Sequence, residues 1–500
     1  MIWLIAQKEL YDNWQSHKIT LTFVLCVILL MMSVWLGLKD YSERLWGYNL
    51  TRNANTFASV GKPAMTYVFF DKEGKLNPNS TTRAAGIVDI IGIYRRPVGL
   101  SILARGLEDR MNRPVRLFNV LGGYNATIDA GNLQEKNRLF MLFSPPDFLF
   151  VVKVVLSLLT ILFTFSAIAG EREQGTLQLM LSNSVSRSQV LLGKFLGGYL
   201  SIVLPFLVAA LIAFLLLVRA PLIALDGENW LRIFLLLITS LGYIALFFLI
   251  GLFISALTQR AATAALMSLT IWVVLTLVVP NVGWLVAKQV VRVPSHQQIE
   301  TEKFKTARQI EDDAEREKPS GMFVPGYGKF HPEAQTQIEE ARREIEERYA
   351  NLRQKRLTFS QILTRFSPAG AYVHASTSLA HTGIEDEEFY HLQLEQHKSQ
   401  LDATIKETFA LLQKPEEQPL IYKNLPQEPR TLRDRLVKIN SYEGRTVKNI
   451  IKNELSFTFD LLSLPKTLNA IWLDLSLLVL CLGFSSALAM LAIVKCEVKQ

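Results

Sequence analysis

Residues Ala167–Lys194 read "AIAGEREQGTLQLMLSNSVSRSQVLLGK", a short polar segment between two long apolar runs. The segment begins with charged residues, contains a glycine at its first turn, and ends with basic residues. Each flanking run is long enough to cross a bilayer, which takes roughly 20 residues at about 1.5 Å per residue. The pattern predicts a polar turn that connects two membrane spans.

Similar apolar runs recur along the 500-residue chain, of which 50% is hydrophobic. They predict a mainly α-helical membrane protein with six transmembrane helices. The run 19–38 is longer than the apolar core of a signal peptide and no cleavage site follows it, so we expect a retained span. The predicted bounds are 19–38, 148–169, 195–218, 231–257, 262–287 and 468–494.

The short loops predict the orientation of these spans. Basic residues collect in the loops on one side, whereas the loop on the other side that follows the span 195–218 carries Asp226 and Glu228. Lys and Arg are enriched in cytoplasmic loops. We therefore expect a multi-pass protein of the bacterial inner membrane, with residues 1–18 and the tail 495–500 in the cytoplasm.

Two long polar segments fall on the extracytoplasmic side. Residues 39–147 combine strand-like runs ("MTYVFF", "PVRLFNVLGG") with the helix-like "GLSILARGLEDRM", so an α+β domain is predicted there. Residues 288–466 contain two charge-rich amphipathic helices, predicted in "AQTQIEEARREIEERYANLRQKRLTFSQIL" and "EEFYHLQLEQHKSQLDATIKETFALLQK", and a Pro/Gly break, "EKPSGMFVPGYGKFHPE". A second, helical extracytoplasmic domain is predicted for that segment.

The first 18 residues predict an interfacial helix. Helical periodicity places Trp3, Ala6, Leu10 and Trp14 on one face, with Lys8 elsewhere. A helix with tryptophans along its apolar edge is typical of the headgroup region, so membrane lipid is an expected partner.

Composition and motifs exclude several classes of protein. The net charge is +8, but the basic residues are not interleaved with stacking aromatics, so no nucleic-acid partner is predicted. The three cysteines lie in spans or in the tail, which leaves the polar segments without a disulfide framework. The sequence has no G-x-x-x-x-G-K-[ST], H-E-x-x-H, C-x-x-C or G-x-S-x-G motif. We therefore predict no catalytic residue, bound cofactor, metal site or enzymatic activity on this chain.

The polar turn itself has a definite local pattern. Glu171 and Glu173 follow the second span, Gly175 permits a sharp turn, and Thr176 is a suitable N-cap for a short helix. An apolar stub exposed to the cytoplasm is expected only where the groove of another protein receives it. The apolar side chains of this predicted stub are Leu177, Leu179, Met180 and Leu181.

Four further ionisable residues lie in or beside spans. Arg187 and Lys194 are predicted to return the chain to the anionic leaflet. Lys153 and Asp474 lie within about two turns of the predicted outer membrane face, where Lys can snorkel and Asp can stay hydrated. We expect both to reach water rather than a substrate.

Residues Gly170–Lys194 resemble the signature of type-2 ABC exporter permeases. The family pattern begins G-E-[KR]-E-x-G-T-L and continues with S-R and G-K, as in "GEREQGTL", "SR" and "GK" here. The N-terminal "IAQKEL" is similar to the family's interfacial start, with Lys8 and Glu9 at the matching positions. Ser184 replaces the usual proline, which makes the exit from the short helix less rigid.

The resemblance implies that residues 170–194 form the coupling helix loop that inserts into a separate ATPase subunit. The large polar segments resemble a bacterial subgroup with two extracytoplasmic domains, and the patches Tyr94–Glu108 and Ser367–Ala380 are similar to patches in it. The implied ATPase-coupling residues are Glu171, Glu173, Gly175, Thr176, Leu177, Leu179, Met180, Leu181, Arg187 and Lys194. The implied interfacial-helix residues are Trp3, Lys8, Glu9, Leu10 and Trp14.

The expected function is that of a permease subunit which couples ATP hydrolysis to export of an unidentified substrate. The resemblance implies ATP and Mg on the partner ATPase, none on this chain, and pairing with a second copy or a homologous permease. An alternative is ATP-driven mechanotransmission through the extracytoplasmic domains to a periplasmic partner, without transport between the spans. A membrane-anchored receptor or enzyme would need a catalytic constellation or a signalling domain, and the sequence has neither.

Overall fold

The computed structural model describes residues 1–58, 90–93, 95–111, 115–120, 123–128, 146–177, 180, 186–220, 223, 225–317, 323–324, 328–329, 332–412 and 459–494. Within these ranges six helices are long and apolar enough to cross a membrane. They confirm the prediction of a mainly α-helical, multi-pass membrane protein.

The described helices alternate between membrane spans and polar segments. The six candidate spans are α2 (Lys18–Ala58, of which Lys18–Leu50 is the apolar candidate), α4 (Phe148–Glu173), α5 (Arg187–Arg219), α6 (Gly227–Leu257), α7 (Ala261–Val290) and α12 (Leu464–Val494). The other helices are α1 (Ile2–Gln15), α3 (Glu108–Met111), α8 (His296–Glu317), α9 (Pro332–Arg365), α10 (Pro368–Leu379) and α11 (Ile384–Leu412).

Two of the spans are not uniform α-helices. In α4 a π-helical stretch, Val151–Leu156, precedes Ser157–Thr164, and turn residues then lead to a last helical piece, Ala169–Glu173. In α7 the π-helical stretch is Val274–Val278. The two spans are joined beside these stretches, because Trp272 Nε1 of α7 donates to Ser157 Oγ of α4 over 2.8 Å.

Helix bounds differ most from the predicted spans at two places. Helix α2 continues beyond residue 38 to Ala58, because the polar stretch contains no proline and the Asp40–Arg44 pair at i,i+4 supports the helix. Helix α5 begins at Arg187 rather than at 195, because Ser186 and Gln189 form a capping box there. Arg187 and Lys194 therefore belong to a span and not to the loop.

The spans pack around α6, the candidate with the largest buried share, 61% of its apolar window. Helix α6 contacts α4 and α12, α5 contacts α1 and α2, and α7 contacts α4. The end of the bundle at which α1, the start of α5 and the end of α12 lie is called here the terminal face. The other end is called the opposite face.

Helix α10 lies between the spans, although its residues were predicted to belong to the extracytoplasmic helical domain. Tyr372 of α10 stacks on Tyr243 of α6 with ring centroids 4.5 Å apart, and its hydroxyl is 2.9 Å from Ser240 Oγ. Tyr243 is near the middle of the 31-residue helix α6. Assigning all of 288–466 to the extracytoplasmic side was therefore wrong for α10. This helix is rich in small residues, which allow it to pack closely between other helices.

The prediction that Asp474 reaches water is also wrong. Asp474 is fully buried and accepts two hydrogen bonds from Arg365, at 2.8 and 3.1 Å. Arg365 ends α9, immediately before the turn into α10. The ion pair thus joins the last span, α12, to the connection between α9 and α10.

At the opposite face, residues 95–111 pack against α2. Glu108 is fully buried, contacts Arg44 and Arg95 at 3.3 and 3.4 Å, and accepts from the backbone N–H of Val98 at 2.8 Å. The helix-like run predicted here is instead a 3₁₀ turn, Gly99–Ile102, followed by α3, because Gly106 with φ 45° interrupts it.

The patch Tyr94–Glu108 contacts Thr382, which lies two residues after the patch Ser367–Ala380. Thr382 Oγ1 donates to the carbonyl of Ala104 over 2.8 Å, and the N–H of Leu107 donates to the carbonyl of Thr382 over 2.8 Å. Patch Tyr94–Glu108 is thereby tied to the residues that directly follow α10.

Three antiparallel strands lie in the predicted α+β segment: β1 (Ile90–Ile93), β2 (Val115–Val120) and β3 (Gly123–Ile128). Ile90 pairs with Phe118, and Val115 pairs with Ile128. The predicted strand "PVRLFNVLGG" is therefore observed, whereas "MTYVFF" lies outside the described residues. Because much of 39–147 is undescribed, the α+β domain stays a prediction.

In the second polar segment, α8 and α9 form an antiparallel hairpin. Ala307, Ala334 and Ile338 form a buried seam, and Lys303 Nζ lies 2.6 Å from Glu346 Oε1. The Pro/Gly break between them contains the short strands β4 (Phe323–Val324) and β5 (Gly328–Lys329). The described part of α9 also packs along the end of α7.

Candidate functional site

The site consists of α1 and of residues 169–194, called here the junction, which connects α4 to α5 at the terminal face. Helix α4 ends at Glu173, and Gly175 follows with φ 74°, a left-handed conformation that glycine adopts without strain. The sharp turn predicted at Gly175 is therefore observed. Thr176 Oγ1 donates to the carbonyl of Glu171 over 3.2 Å and so helps to close this turn. The residues 178–179, whose N–H groups Thr176 would cap, lie outside the described residues.

The prediction of an exposed apolar stub is wrong for Leu177. Its side chain is 2% exposed and belongs to the apolar core of the bundle, and Met180 packs partly buried against the same core. Packing these apolar side chains against the neighbouring spans is favourable, because it removes apolar surface from water. Among the described residues between the end of α4 and Leu177, the exposed ones are polar or glycine: Glu173, Gln174, Gly175 and Thr176. Leu179 and Leu181 lie outside the described residues.

A buried cation connects the junction to α1. Lys194 Nζ lies 2.9 Å from Glu171 Oε1 and 3.2 Å from Glu9 Oε2. Only 2% of the lysine side chain is exposed, and the two carboxylates are 18% and 19% exposed. The prediction that Lys194 meets lipid headgroups is therefore wrong. The three charges, called here the Lys194 triad, join α1, the end of α4 and the start of α5.

Small residues allow α1 to pack tightly against α5. A Cβ placed on Gly197 would lie 2.5 Å from the carbonyl oxygen of Ala6 and 2.7 Å from Glu9 Cβ. One turn earlier, a Cβ on Gly193 would lie 2.6 Å from Ile5 Cβ. Two glycines four residues apart let helix backbones approach closely, as in membrane helix pairs generally.

The packed face of α1 differs in part from the predicted apolar face. Ala6 is buried, and Asn13, also buried, donates from Nδ2 to Ser201 Oγ over 3.2 Å. Trp3 and Trp14 are 62% and 63% exposed, as expected of a lipid-facing edge. Leu10 is partly exposed and Lys8 is exposed.

Replacing Gly197 with alanine should displace α1 from α5. The added methyl group would overlap the Ala6 carbonyl and Glu9, and overpacking of this kind costs about 1–3 kcal/mol. We expect faster hydrogen exchange of the α1 amides and a lower thermal midpoint in detergent. Gly242→Ala is the matched control, because no atom lies within 4 Å of a Cβ there. Equal behaviour of the two variants would contradict the close packing of α1.

The remaining charged residues of the junction hold the ends of other spans. Arg172 donates to the carbonyls of Thr258 and Ala256, at 2.8 and 3.0 Å, where α6 ends. Glu173 Oε2 accepts from the N–H of Ala261 over 3.1 Å, at the first residue of α7. A carboxylate at a helix N-terminus satisfies a free N–H and favours the positive end of the helix dipole.

Arg187 caps the C-terminal end of the last span, α12. Its Nη1 donates to the carbonyl of Val494, the residue at which α12 ends. Free carbonyls at a helix C-terminus are satisfied by such cations. Through Arg172, Glu173 and Arg187, the junction therefore contacts the ends of α6, α7 and α12.

Two of these residues were missed by the sequence analysis. Arg172 was counted only for its charge, although it lies between the two glutamates of the same motif. Ser255 accepts from the N–H groups of Ile168 and Ala169, both at 3.0 Å, and so supports the irregular turn of α4. The turn before Ala169 gave no sequence signal, because the stretch reads as a continuous apolar run.

Comparison with known proteins shows the family of the chain. Residues 3–412 match the family described as "ABC-2 family transporter protein". A stretch of 127 residues, 25% of this chain, is 33% identical to the "Probable ABC transporter permease protein NosY" of Stutzerimonas stutzeri. That match covers 45% of the relative, less than half of its length. With a match over residues 3–412 and six apolar spans in the described chain, the protein belongs to the ABC-2 transporter family.

Proposed function

We propose that this chain is the membrane subunit of an ATP-driven exporter and that the junction couples it to a separate ATPase subunit. The supporting observation is that one short segment holds the ends of α5, α6, α7 and α12 and, through the Lys194 triad, α1. The relative named above, itself called an ABC transporter permease, supports the same class. ATP and Mg would bind to the partner and not to this chain.

The contacts suggest how a movement of the junction would reach the spans. The polar surface Glu173–Thr176 is exposed and available to an ATPase, and Glu173 itself and the neighbouring Arg172 are bonded to the ends of other spans. A shift of this surface would therefore shift the ends of several spans together. Since a nucleotide moves an equilibrium only by binding its two states differently, the ATPase must contact the junction differently in those states.

The proposed orientation places the terminal face in the cytoplasm of a bacterium, with the chain in the inner membrane. Six spans are half of a usual transporter of this class, so the working unit would contain a second copy or a homologous permease. The substrate route would lie between the two halves, as ligand sites in transporters generally do. The substrate itself is unidentified.

Site-specific photo-crosslinking from Gln174 tests the proposal. Gln174 is exposed on the junction, so a benzoylphenylalanine there should attach to an ATP-hydrolysing protein in intact cells, in a nucleotide-dependent yield. The matched control is the same probe at Trp230, which is 44% exposed near the opposite face and should give no such adduct. Attachment of the ATPase from Trp230 rather than Gln174 would overturn the proposed orientation, and attachment from neither would overturn the coupling.

A further inference from the structure

Near the end of α7 at the opposite face, Arg356 contacts a tryptophan, and two further basic residues lie one helical turn from this pair. The guanidinium carbon of Arg356 on α9 lies 5.4 Å from the ring centroid of Trp284 on α7. Lys288 lies one turn after Trp284 on the same face of α7, and Arg353 lies one turn before Arg356 on the same face of α9. These four residues are called here the Trp284 cluster.

The cations of this cluster are not neutralised by described neighbours. Residues 279–299 and 350–365 contain no Asp or Glu, and within the described chain none of Lys288, Arg353 and Arg356 makes a salt bridge. Glu388 of α11 accepts a hydrogen bond from Gln354 instead. The Nε of Arg356 is shielded from solvent without a hydrogen-bond partner. Arg292 and Lys355 add two exposed cations beside the cluster.

The surface of α7 next to the cluster is apolar and exposed. Val282, Leu285 and Val286 are 45%, 57% and 36% exposed, in a candidate span that is the least buried of the six described. Trp284 is 39% exposed at the same level. Tryptophan next to Lys and Arg, at the end of an apolar exposed helix, is the arrangement found where a protein crosses the headgroup region.

We propose that the Trp284 cluster binds the phosphate of an anionic phospholipid headgroup in the leaflet at the opposite face. Two guanidinium groups can each donate paired hydrogen bonds to phosphate oxygens, and the Lys288 ammonium adds a third donor. Trp284 lies at the boundary between headgroups and acyl chains, with Val282 on the acyl-chain side and Lys288 on the headgroup side. The partner is thus a lipid such as phosphatidylglycerol, and the binding does not depend on the proposed export function.

Native mass spectrometry of the purified full-length chain tests this inference. The protein is equilibrated with equimolar phosphatidylglycerol and phosphatidylcholine, and the retained lipids are counted. Each Lys or Arg near an anionic lipid surface contributes about fivefold in binding. The triple variant Lys288→Gln/Arg353→Gln/Arg356→Gln should therefore lose the preference for phosphatidylglycerol by about tenfold or more.

The matched control also removes three positive charges, but further from the bundle: it is Lys305→Gln/Arg308→Gln/Arg316→Gln on α8. Lys303 pairs with Glu346, so these cations lie about 14 Å or more beyond Arg353, outside a Debye length of about 8 Å. The control should keep the wild-type preference. Equal losses in both variants, or retention that ignores headgroup charge, would overturn the inference.

A double variant and a competition with inorganic phosphate complete the test. The double variant Lys288→Gln/Arg353→Gln leaves the Arg356–Trp284 contact intact and should show an intermediate preference, even if the triple variant folds poorly. Inorganic phosphate should leave lipid retention unchanged. Displacement of phosphatidylglycerol by phosphate alone would show a free-anion site and would overturn the lipid assignment.

Discussion

Replacing Lys194 with methionine is expected to give the largest functional loss of any single substitution at the terminal face. The variant leaves the carboxylates of Glu9 and Glu171 facing each other without the cation between them. Removing one partner of a buried ion pair costs about 3–5 kcal/mol. Because the side chains of the two glutamates are 18–19% exposed, we expect the variant to lose about 3 kcal/mol of folding stability, the lower end of that range. ATP-dependent transport in reconstituted vesicles should fall by about tenfold or more.

A compensated variant separates stability from coupling. Glu9→Gln/Glu171→Gln/Lys194→Met removes all three charges, and replacing a whole buried ionic group by neutral residues is often neutral or stabilising. Its thermal midpoint should therefore return toward that of the wild type. If the triad transmits movement between α1 and the junction, transport should stay low in this variant while ATP hydrolysis continues. Full recovery of transport would show that the triad matters only for stability.

Arg365→Leu is expected to have the largest effect on the stability of the bundle. Asp474 is fully buried and Arg365 donates both of its paired hydrogen bonds, so the variant leaves a buried carboxylate without its cation. The expected loss is about 4–5 kcal/mol, the upper end for a broken buried pair. Thermal unfolding in detergent, followed by loss of the monodisperse elution peak, should show a clear decrease of the midpoint.

The paired variant Arg365→Leu/Asp474→Leu provides the control. Removing both charges should recover most of the lost stability, because the single variant is penalised mainly for the unpaired carboxylate. Arg356→Leu serves as a second comparison, since the described Arg356 contacts an aromatic ring and no carboxylate. A midpoint for Arg365→Leu no lower than that of Arg356→Leu would contradict the importance of the ion pair.

The positions of the spans could be predicted because each is a long apolar run whose length matches a bilayer. The sharp turn at Gly175 could be predicted because left-handed backbone favours glycine. Both signals are local. Partners far apart in sequence gave no such signal: Lys194 and Glu9 are 185 residues apart, and Arg365 and Asp474 are 109 residues apart.

Helix α10 was missed because it has 12 residues, too few to cross a membrane, and carries several polar side chains. Its small residues Ala369, Gly370 and Ala371 were the available signal, since such residues let helices approach closely inside a bundle. The burial of Leu177 was missed for a different reason. Its apolar character was read as a surface for a partner, whereas the core of the same chain lies close enough to cover it.

The length of α9 has a mechanical consequence. One end of this 34-residue rod is fastened to Asp474 deep in the bundle, and the hairpin with α8 stiffens the rest. The part that projects past Trp284 spans about 30 Å. The whole helix is about 50 Å long, so a pivot of about 10° at the fastened end would move the free end, near Pro332, by about 9 Å. Small movements of the spans would therefore produce larger displacements at the free end of α9. A spin label there and a second one on a span could measure them as a change in distance.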